Sequence, residues 1–421
     1  MKERPYALGV AYRRRDSELL DDDGSLDDVV ADLLDLACSA NILDRHVRRG
    51  PPGTEAWPRQ MDHALCLRRP EVWGSTEVHD ALMRLLHWMT EDQWSLVNTP
   101  GPVAQPARQM RLPLDHGDRK VVLFSGGLDA TAGTAMHLDA GEALLGVAVE
   151  TNSAMSAYQK GVASALMALG SGDLKVAPVT FHRIGERRWE DASRRTRGLL
   201  FLVCGWVAAR RTRERTLLVF ENGIGALNLP YTAAQSGCMT SRAVHPRTLH
   251  LAAELFSLID ESPFAVHNPY LNRTKGWMCS QLPATAALAC GLSESCDLAA
   301  AGRSPLDRRC GRCSSCLLRR VSLHAAGRSN WDPRPYRADA EGDQGRSAIK
   351  YMLWQAAEFA RCVTSDRPAD DLVVSFPDLG DIPEDIPVLE LVPLFSRYVS
   401  EWQGYPHPLV DSFLRPLRVA A

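Results

Sequence analysis

The sequence predicts an α/β fold in which a parallel sheet carries helices on both faces. A C-terminal four-cysteine knuckle and extra N- and C-terminal α+β regions complete it. Three observations lead there. From Lys120 onward, apolar β-rich runs alternate with helical patterns in a βαβαβαβ order, the order that builds parallel sheets. The first of these strands runs straight into Ser-Gly-Gly and then a helix. Further on, cysteines at 310, 313 and 316 fall within seven residues.

Taken in order, residues 1–98 form an N-terminal accessory region. It has a strand-like start at Tyr6–Tyr12, an acidic-capped helix at Leu26–Ala40, a Gly/Pro-rich stretch at Gly50–Pro58 and a second helix at Thr76–Met89. Residues 99–118 carry Pro100, Pro102, Pro106 and Pro113, which disfavour helix and mark a linker. The α/β unit spans 119–326. Its expected strands are Val121–Phe124, Ala143–Val149, Val176–Phe181 and Thr216–Phe220. Its expected helices are Ala130–Ala140, Ser153–Leu169 and Glu190–Ala209. The last is apolar all round over Leu199–Ala208, which predicts deep burial. Residues 327–346 are polar and read as a loop. Helices at Ser347–Val363 and Val388–Trp402 make 327–421 a mainly helical extension.

Composition excludes several classes. The net charge of −3 leaves no global basic field for nucleic acid or membrane. The longest apolar run, Gly198–Ala209, is shorter than the roughly 20 residues of a membrane-spanning helix. The start of the chain lacks the apolar core of a signal peptide. Eleven mostly scattered cysteines argue against a disulfide framework and for a reducing cytoplasm. Only six of the 48 basic residues are lysines, so a lysine at a mechanistic position stands out.

The run Val121-Val-Leu-Phe-Ser-Gly-Gly-Leu-Asp-Ala-Thr131 carries the first chemical signal. Glycines let the backbone turn tightly and approach an anion. The helix start offers unpaired N–H groups and partial positive charge. Ser125 and Thr131 add hydroxyls, Gly126, Gly127 and Leu128 the backbone cradle, and Asp129 can hold magnesium or orient the loop. The run matches neither a Walker A loop nor a dinucleotide-binding Gly-x-Gly-x-x-Gly.

Cys310, Cys313 and Cys316 can wrap one metal, with Cys296, 14 residues upstream, as fourth ligand and Cys290 as the alternative. Four thiolates suit tetrahedral zinc in a closed, structural site. The spacing also matches the first three cysteines of a ferredoxin cluster, but the fourth position of that pattern is Arg320.

Lys275 opens a helix after the strand-like Phe264–Asn268, where a lysine can contact phosphates as a point charge. Arg195 and Arg197, at the front of the buried helix, can hold a carboxylate or pyrophosphate bidentately. Glu221 and Asn222 follow a strand end, where ligands of open α/β sheets collect. A carboxylate and an amide there can read a purine-like edge. Arg242 and His245 lie in a segment expected to cover the site. His245 reads better as a loop hydrogen-bonder than as a general base. The tryptophans of the N-terminal region (Trp57, Trp73, Trp88, Trp94) read as core or interface, and its histidines show no metal spacing.

Ser-Gly-Gly-x-Asp after a strand resembles the PP-loop of the ATP pyrophosphatases, which split ATP between the α and β phosphates. The family's following Ser is Ala130 here, with Thr131 as candidate replacement. The loop followed by Cys-Gly-Arg-Cys-Ser-Ser-Cys-Leu-Leu-Arg-Arg resembles the QueC-like family (7-cyano-7-deazaguanine synthase-like) over roughly Lys120–Arg320. Lys275 matches the family's Thr-Lys element. The flanking regions, with Glu221–Pro230, Ser241–Pro246 and Thr274–Gly276, look like the larger QueC-like proteins of bacterial antiphage defence operons. The resemblance implies ATP, magnesium and structural zinc. It implies adenylation of 7-carboxy-7-deazaguanine and transfer of the acyl group to ammonia or to the N-terminus of a partner protein. It leaves room for a homodimer.

Two other readings stand beside it. A tRNA-modifying PP-loop enzyme is disfavoured by the near-neutral charge, and Cys204 and Cys238 are its candidate reactive cysteines only by default. A non-catalytic nucleotide-sensing scaffold is motivated by Ala130 and the large flanking regions.

Overall fold

The computed structural model describes residues 12–15, 26–51, 54–55, 57–99, 118–150, 153–183, 190–191, 193–232, 241–297, 308–337 and 343–417. The expected start at Tyr6–Tyr12 save for Tyr12 itself, nearly all of the Pro-rich linker, and Cys238 lie outside them.

The N-terminal region opens with β1 (Tyr12–Arg15) and α1 (Asp28–His46). Asp27 caps α1 by accepting from the amides of Val29 and Val30, at 2.9 and 3.4 Å. The helix runs past the predicted end at Ala40 because Ile42 and Leu43 continue its buried face. Next come β2 (Gln60–Leu65), α2 (Pro70–Trp73), α3 (Thr76–Thr90) and β3 (Gln93–Asn98). β2 and β3 form a two-stranded parallel ladder that the sequence reading missed. Buried Arg59 ties it to α1 by donating to Asp44 at 2.5 Å and Asp92 at 2.6 Å.

The α/β unit contains β4 (Lys120–Leu123), α4 (Leu128–Asp139), β5 (Ala143–Glu150), α5 (Ser153–Met167) and β6 (Asp173–Arg183). It continues with α6 (Arg197–Thr212), β7 (Thr216–Leu218), α7 (Gly223–Leu227), α8 (Pro246–Ile259) and β8 (Ala265–His267). α9 (Lys275–Gln281), α10 (Ala287–Leu292) and α11 (Ser314–Ala325) close it. Five strands run parallel in the order β6–β5–β4–β7–β8, and β1 adds antiparallel outside β6. The helix expected from Glu190 starts at Arg197 instead. Asp44 accepts from the Ser193 hydroxyl and from the amide and hydroxyl of Thr196, which draws this stretch toward α1.

Strand residues alternate between two cores, as a pleat requires. Val121, Leu145 and Leu217 face α6 and α8, with α1 and α3 in the same cluster. Val122, Leu144 and Leu218 face α4, α5, α9 and α10. A third core joins α7 and α11 to α12 (Asp343–Val363), α13 (Pro368–Ser375), α14 (Val388–Gln403) and α15 (Pro408–Phe413). The cores therefore cross both expected region bounds, near 119 and near 326. Among the described residues, no helix is long and apolar enough to cross a membrane.

Strand order fixes where a ligand can sit. The chain builds β4, β5 and β6 toward one edge, then returns to place β7 and β8 on the other side of β4. Ligands of open α/β sheets collect in the crevice at the carboxyl ends of the strands at such a reversal. Ser125–Asp129 leave β4 there, and Glu221–Asn222 follow β7.

Candidate functional site

The loop after β4 has the geometry that its glycines predict. Gly126 has φ of +74°, a conformation a side chain disfavours. The Gly127 amide donates to the Ser125 hydroxyl at 3.2 Å. Gly127 precedes α4 without a side-chain cap, so the first amides of that helix remain for another acceptor. Leu128 lies in the core, and only its backbone belongs to the loop. Thr131 departs from expectation. It is buried, and its hydroxyl donates to the Gly127 carbonyl at 2.7 Å, one turn back. A hydroxyl has one proton, so Thr131 does not replace the donor missing at Ala130.

Four side chains converge beside the loop. Lys275, at the first turn of α9, places Nζ 2.7 Å from Asp129 Oδ2, both side chains nearly buried. Thr274 caps α9 by accepting from the Trp277 amide at 3.0 Å. Asn222 donates to Glu221 at 2.9 Å and to Asp129 at 3.4 Å, while its Oδ1 accepts from the Gly225 amide and caps α7. Asp129 Oδ1 is buried and has no hydrogen-bond partner among the described residues. Burial first, then the adjacent Asp129 carboxylate, pushes the Glu221 carboxyl well above its usual range. Burial alone would lower the Lys275 ammonium, but Asp129 and Glu221 outweigh it and hold it above its usual value. The raised Glu221 carboxyl thus sits in one cluster with Asp129 and its orphaned oxygen. That donor set suits a divalent cation, which would satisfy Oδ1.

Arg197, the first residue of α6, lines a cavity of about 70 Å³ together with Ser125, Phe124, Gln159 and Phe201. Burial, then Arg194 and Arg45, lowers its guanidinium to about 10. No carboxylate among the described residues forms an ion pair with it. A half-buried cation beside the loop, with no ion-pair partner among the described residues, is the complement of an anionic ligand.

Four predicted positions are placed differently. Asn222 is fully buried with its whole amide engaged, so it organises the acidic cluster and does not read a purine edge. Arg195 is held by Glu91 at 3.4 Å and lies over the Trp57 ring, in the N-terminal region. Arg242 pairs with the same Glu91 at 3.0 Å and stacks on Trp88 at 4.1 Å. His245 caps α8, accepting from the Arg247 amide at 3.2 Å. Burial, then Arg242 and Arg247, lowers His245 to about 3, so it is neutral and unsuited to proton transfer at pH 7. Arg195, Arg242 and His245 dock the N-terminal region rather than cover the loop. Of the substrate candidates, Glu221 and Asn222 lie at the site, Asn222 as the organiser of the acidic cluster.

Cys296, Cys310, Cys313 and Cys316 come together with all sulfurs within 4.8 Å of one another. A tetrahedron with metal–sulfur bonds of ~2.3 Å has edges of about 3.8 Å. Cys310 and Cys316 are already 3.7 Å apart. The cluster is compatible with metal binding, with Cys296 rather than Cys290 as fourth member. Hydrogen bonds from Cys296, Cys313 and Cys316 hold the Cys310 thiol below its usual range, while those with Cys296 and Cys310 push Cys313 above it. Four sulfurs so close cannot all ionise without a cation among them.

Two acids at the site escaped the sequence reading. Glu401 of α14 accepts from the Thr274 hydroxyl at 2.5 Å and sits over Gly276, where a Cβ would come within 2.5 Å of its carboxyl. Its spacing from Leu394 and Tyr398 puts it on the apolar face of α14, which was the available signal. Glu294 donates its backbone amide to the Gly126 carbonyl at 3.0 Å. Nothing in the sequence pattern marks that contact. The chain matches no protein-family model and no curated relative.

Proposed function

We propose that the chain is an ATP-dependent carbon–nitrogen ligase of the PP-loop type. It adenylates a carboxylate and passes the acyl group to an amine, releasing pyrophosphate and AMP. The observation that carries this reading is the convergence of three features at the sheet's reversal point. They are an anion-ready strand–Ser-Gly-Gly–helix loop, the Asp129–Lys275–Glu221 cluster with an orphaned oxygen, and the uncompensated Arg197. The QueC-like resemblance supplies the substrate class, 7-carboxy-7-deazaguanine, and the acceptors, ammonia or the N-terminus of a partner protein in antiphage defence.

In this reading the substrate carboxylate attacks the α-phosphorus, and the bond to the β-phosphate oxygen breaks. The Leu128 and Asp129 amides and the Ser125 hydroxyl receive the pyrophosphate oxygens. Lys275 and Arg197 balance their charge. Asp129 and Glu221 would hold magnesium, which spreads the charge of the leaving group when bound. An amine nitrogen then forms a bond to the acyl carbon, loses a proton and expels AMP. The four cysteines would hold zinc in a closed site without a catalytic role. The Arg197 cavity is below the roughly 300–1,000 Å³ of small-molecule pockets, so nucleotide entry displaces Met155 or Phe201 from its walls.

ATP–pyrophosphate exchange with purified protein, with and without 7-carboxy-7-deazaguanine and with no amine, tests the proposal. Exchange that depends on the acid is expected. ATP binding without exchange would refute carboxylate adenylation of this substrate. The loop offers one hydroxyl, Ser125, since Thr131 is internally bonded. That favours a nucleotide-sensing scaffold as the second reading, and bound ATP that yields no AMP with any carboxylate would select it.

A further inference from the structure

We propose that Glu294 is a positioning residue that couples the four-cysteine metal site to the loop after β4. The inference rests on the reading of that loop as the anion site for its functional meaning, but its geometry stands apart from it.

Glu294 lies between α10 and Cys296 and is buried. Its main chain touches the loop directly. Its amide donates to the Gly126 carbonyl at 3.0 Å, and its carbonyl oxygen lies 3.6 Å from where a Cβ on Gly127 would be. Its side chain faces the knuckle. Oε1 accepts from the Cys296 amide at 2.7 Å, and Oε2 pairs with Arg334 at 2.5 Å. Arg309, next to Cys310, lies 3.4 Å from the same carboxylate and donates to the Ser293 carbonyl at 2.7 Å. One residue therefore holds the left-handed turn at Gly126 with its backbone and a metal-ligand segment with its side chain.

α5 repeats the connection. Tyr158 packs among Cys296, Cys310 and Cys316, and the next residue, Gln159, presses its Cγ to 3.0 Å of the Cβ position at Gly126. Metal in the cluster fixes Cys296, and Cys296 fixes Glu294. Loss of metal removes the bonds that fix Cys296, and the segment that clasps Gly126 loosens with it. The knuckle then sets the shape of the loop as well as closing the chain.

Amide hydrogen exchange over residues 124–131 reads this without relying on activity. The comparison uses zinc-loaded wild type, the same protein after chelation, and zinc-loaded Glu294→Ala and Glu294→Gln. Chelated wild type and Glu294→Ala should each exchange faster at the loop by roughly fivefold or more, the scale of one lost hydrogen bond. Zinc re-addition should reverse the first change. Glu294→Ala should keep its zinc, since all four thiolates remain, and Glu294→Gln, which still accepts from the Cys296 amide but loses the charge facing Arg334 and Arg309, should exchange more slowly at the loop than Glu294→Ala. Affinity for MgATP should fall in parallel.

Unchanged loop exchange in both chelated protein and zinc-loaded Glu294→Ala would overturn the proposal. Equal acceleration in β5 after chelation would also overturn it, since the knuckle would then be holding the whole unit. Wild type that binds no MgATP, with loop exchange still zinc-dependent, would remove the ligase reading and leave the coupling standing.

Discussion

Replacing Lys275 with methionine tests the centre of the site. The variant keeps the side chain's length and removes its charge. In wild type, Nζ lies 2.7 Å from Asp129 Oδ2, with both side chains less than a tenth exposed. At that distance the gross attraction is about 6 kcal/mol for an effective dielectric of ~20. Desolvation offsets much of it, but removing one partner leaves the other charge buried, which costs about 3–5 kcal/mol. Here the remaining carboxylate has Asn222 at 3.4 Å as a donor, an Oδ1 with no partner among the described residues, and the Glu221 carboxyl beside it. Denaturant unfolding at pH 7 should show a loss of about 3 kcal/mol for Lys275→Met. The double variant Asp129→Asn/Lys275→Met should recover more than ~1 kcal/mol of the sum of the single losses, because no unpaired charge is left. Magnesium should stabilise Lys275→Met more than wild type, since a cation at the two carboxyls substitutes for the ammonium. A loss below about 0.5 kcal/mol with strictly additive variants would show that the pair is solvated, and the buried-site argument would fall.

Two further outcomes follow from the electrostatics. Burial raises Glu401 to about 7, against the opposing pull of Thr274 and Arg397. A carboxyl raised in the folded state binds its proton more tightly there than in the unfolded chain. Its contribution to stability is present below the unfolded value near 4.5 and is lost as pH climbs to 7, by about 3 kcal/mol in all. Denaturation midpoints between pH 5 and 8 should therefore fall less steeply in Glu401→Gln than in wild type, and parallel curves would refute the assignment. Arg197→Met should raise the unfolding midpoint while weakening MgATP binding, because it removes a half-buried guanidinium that has no ion-pair partner among the described residues and that a nucleotide would otherwise meet. A variant that loses stability and keeps ATP affinity would place Arg197 among structural residues.

What could be read from the sequence follows from the range of the forces involved. The strands β4 to β7 and their helices are set by local periodicity, and their positions emerge within a few residues, save for the start of α6. The cysteine set is fixed by covalent spacing plus one upstream partner. Lys275, Glu221 and Asp129 were chosen one at a time for their chemistry, and strand order brings them together. The errors share a cause. Arg195, Arg242 and His245 were assigned to the site from local context, but Glu91 and Trp88 of the N-terminal region take up the two arginines, and capping takes up the histidine. Thr131 went the same way, because a helical threonine competes for the carbonyl one turn back. β2 and β3 pair across 33 positions of chain, with an exposed face and little alternation to show it. Long-range partners decide such cases, and a single sequence does not display them.

The C-terminal extension looks, by composition, like an accessory, and its packing argues against that. α14 meets the turn after β7 and the start of α9, the two segments that supply Glu221, Asn222 and Lys275. Gly223 brings its backbone so close that a Cβ would fall 1.9 Å from the Leu271 carbonyl and 2.5 Å from Leu394 of α14. At Gly276 the carboxyl of Glu401 occupies the same kind of space. Gly223 is therefore required chiefly by the Leu271 carbonyl with Leu394 beside it, and Gly276 by the Glu401 carboxyl of α14. The Gly223 amide also donates to the Arg273 carbonyl at 2.8 Å, so the two segments are tied to each other under the helix that covers them. Behind them, Leu394, Leu317 and Ile224 belong to a single core. A chain ending at 326 would expose that core and lose the wall behind Lys275. The α/β unit supplies the reacting groups, and the extension holds them in register.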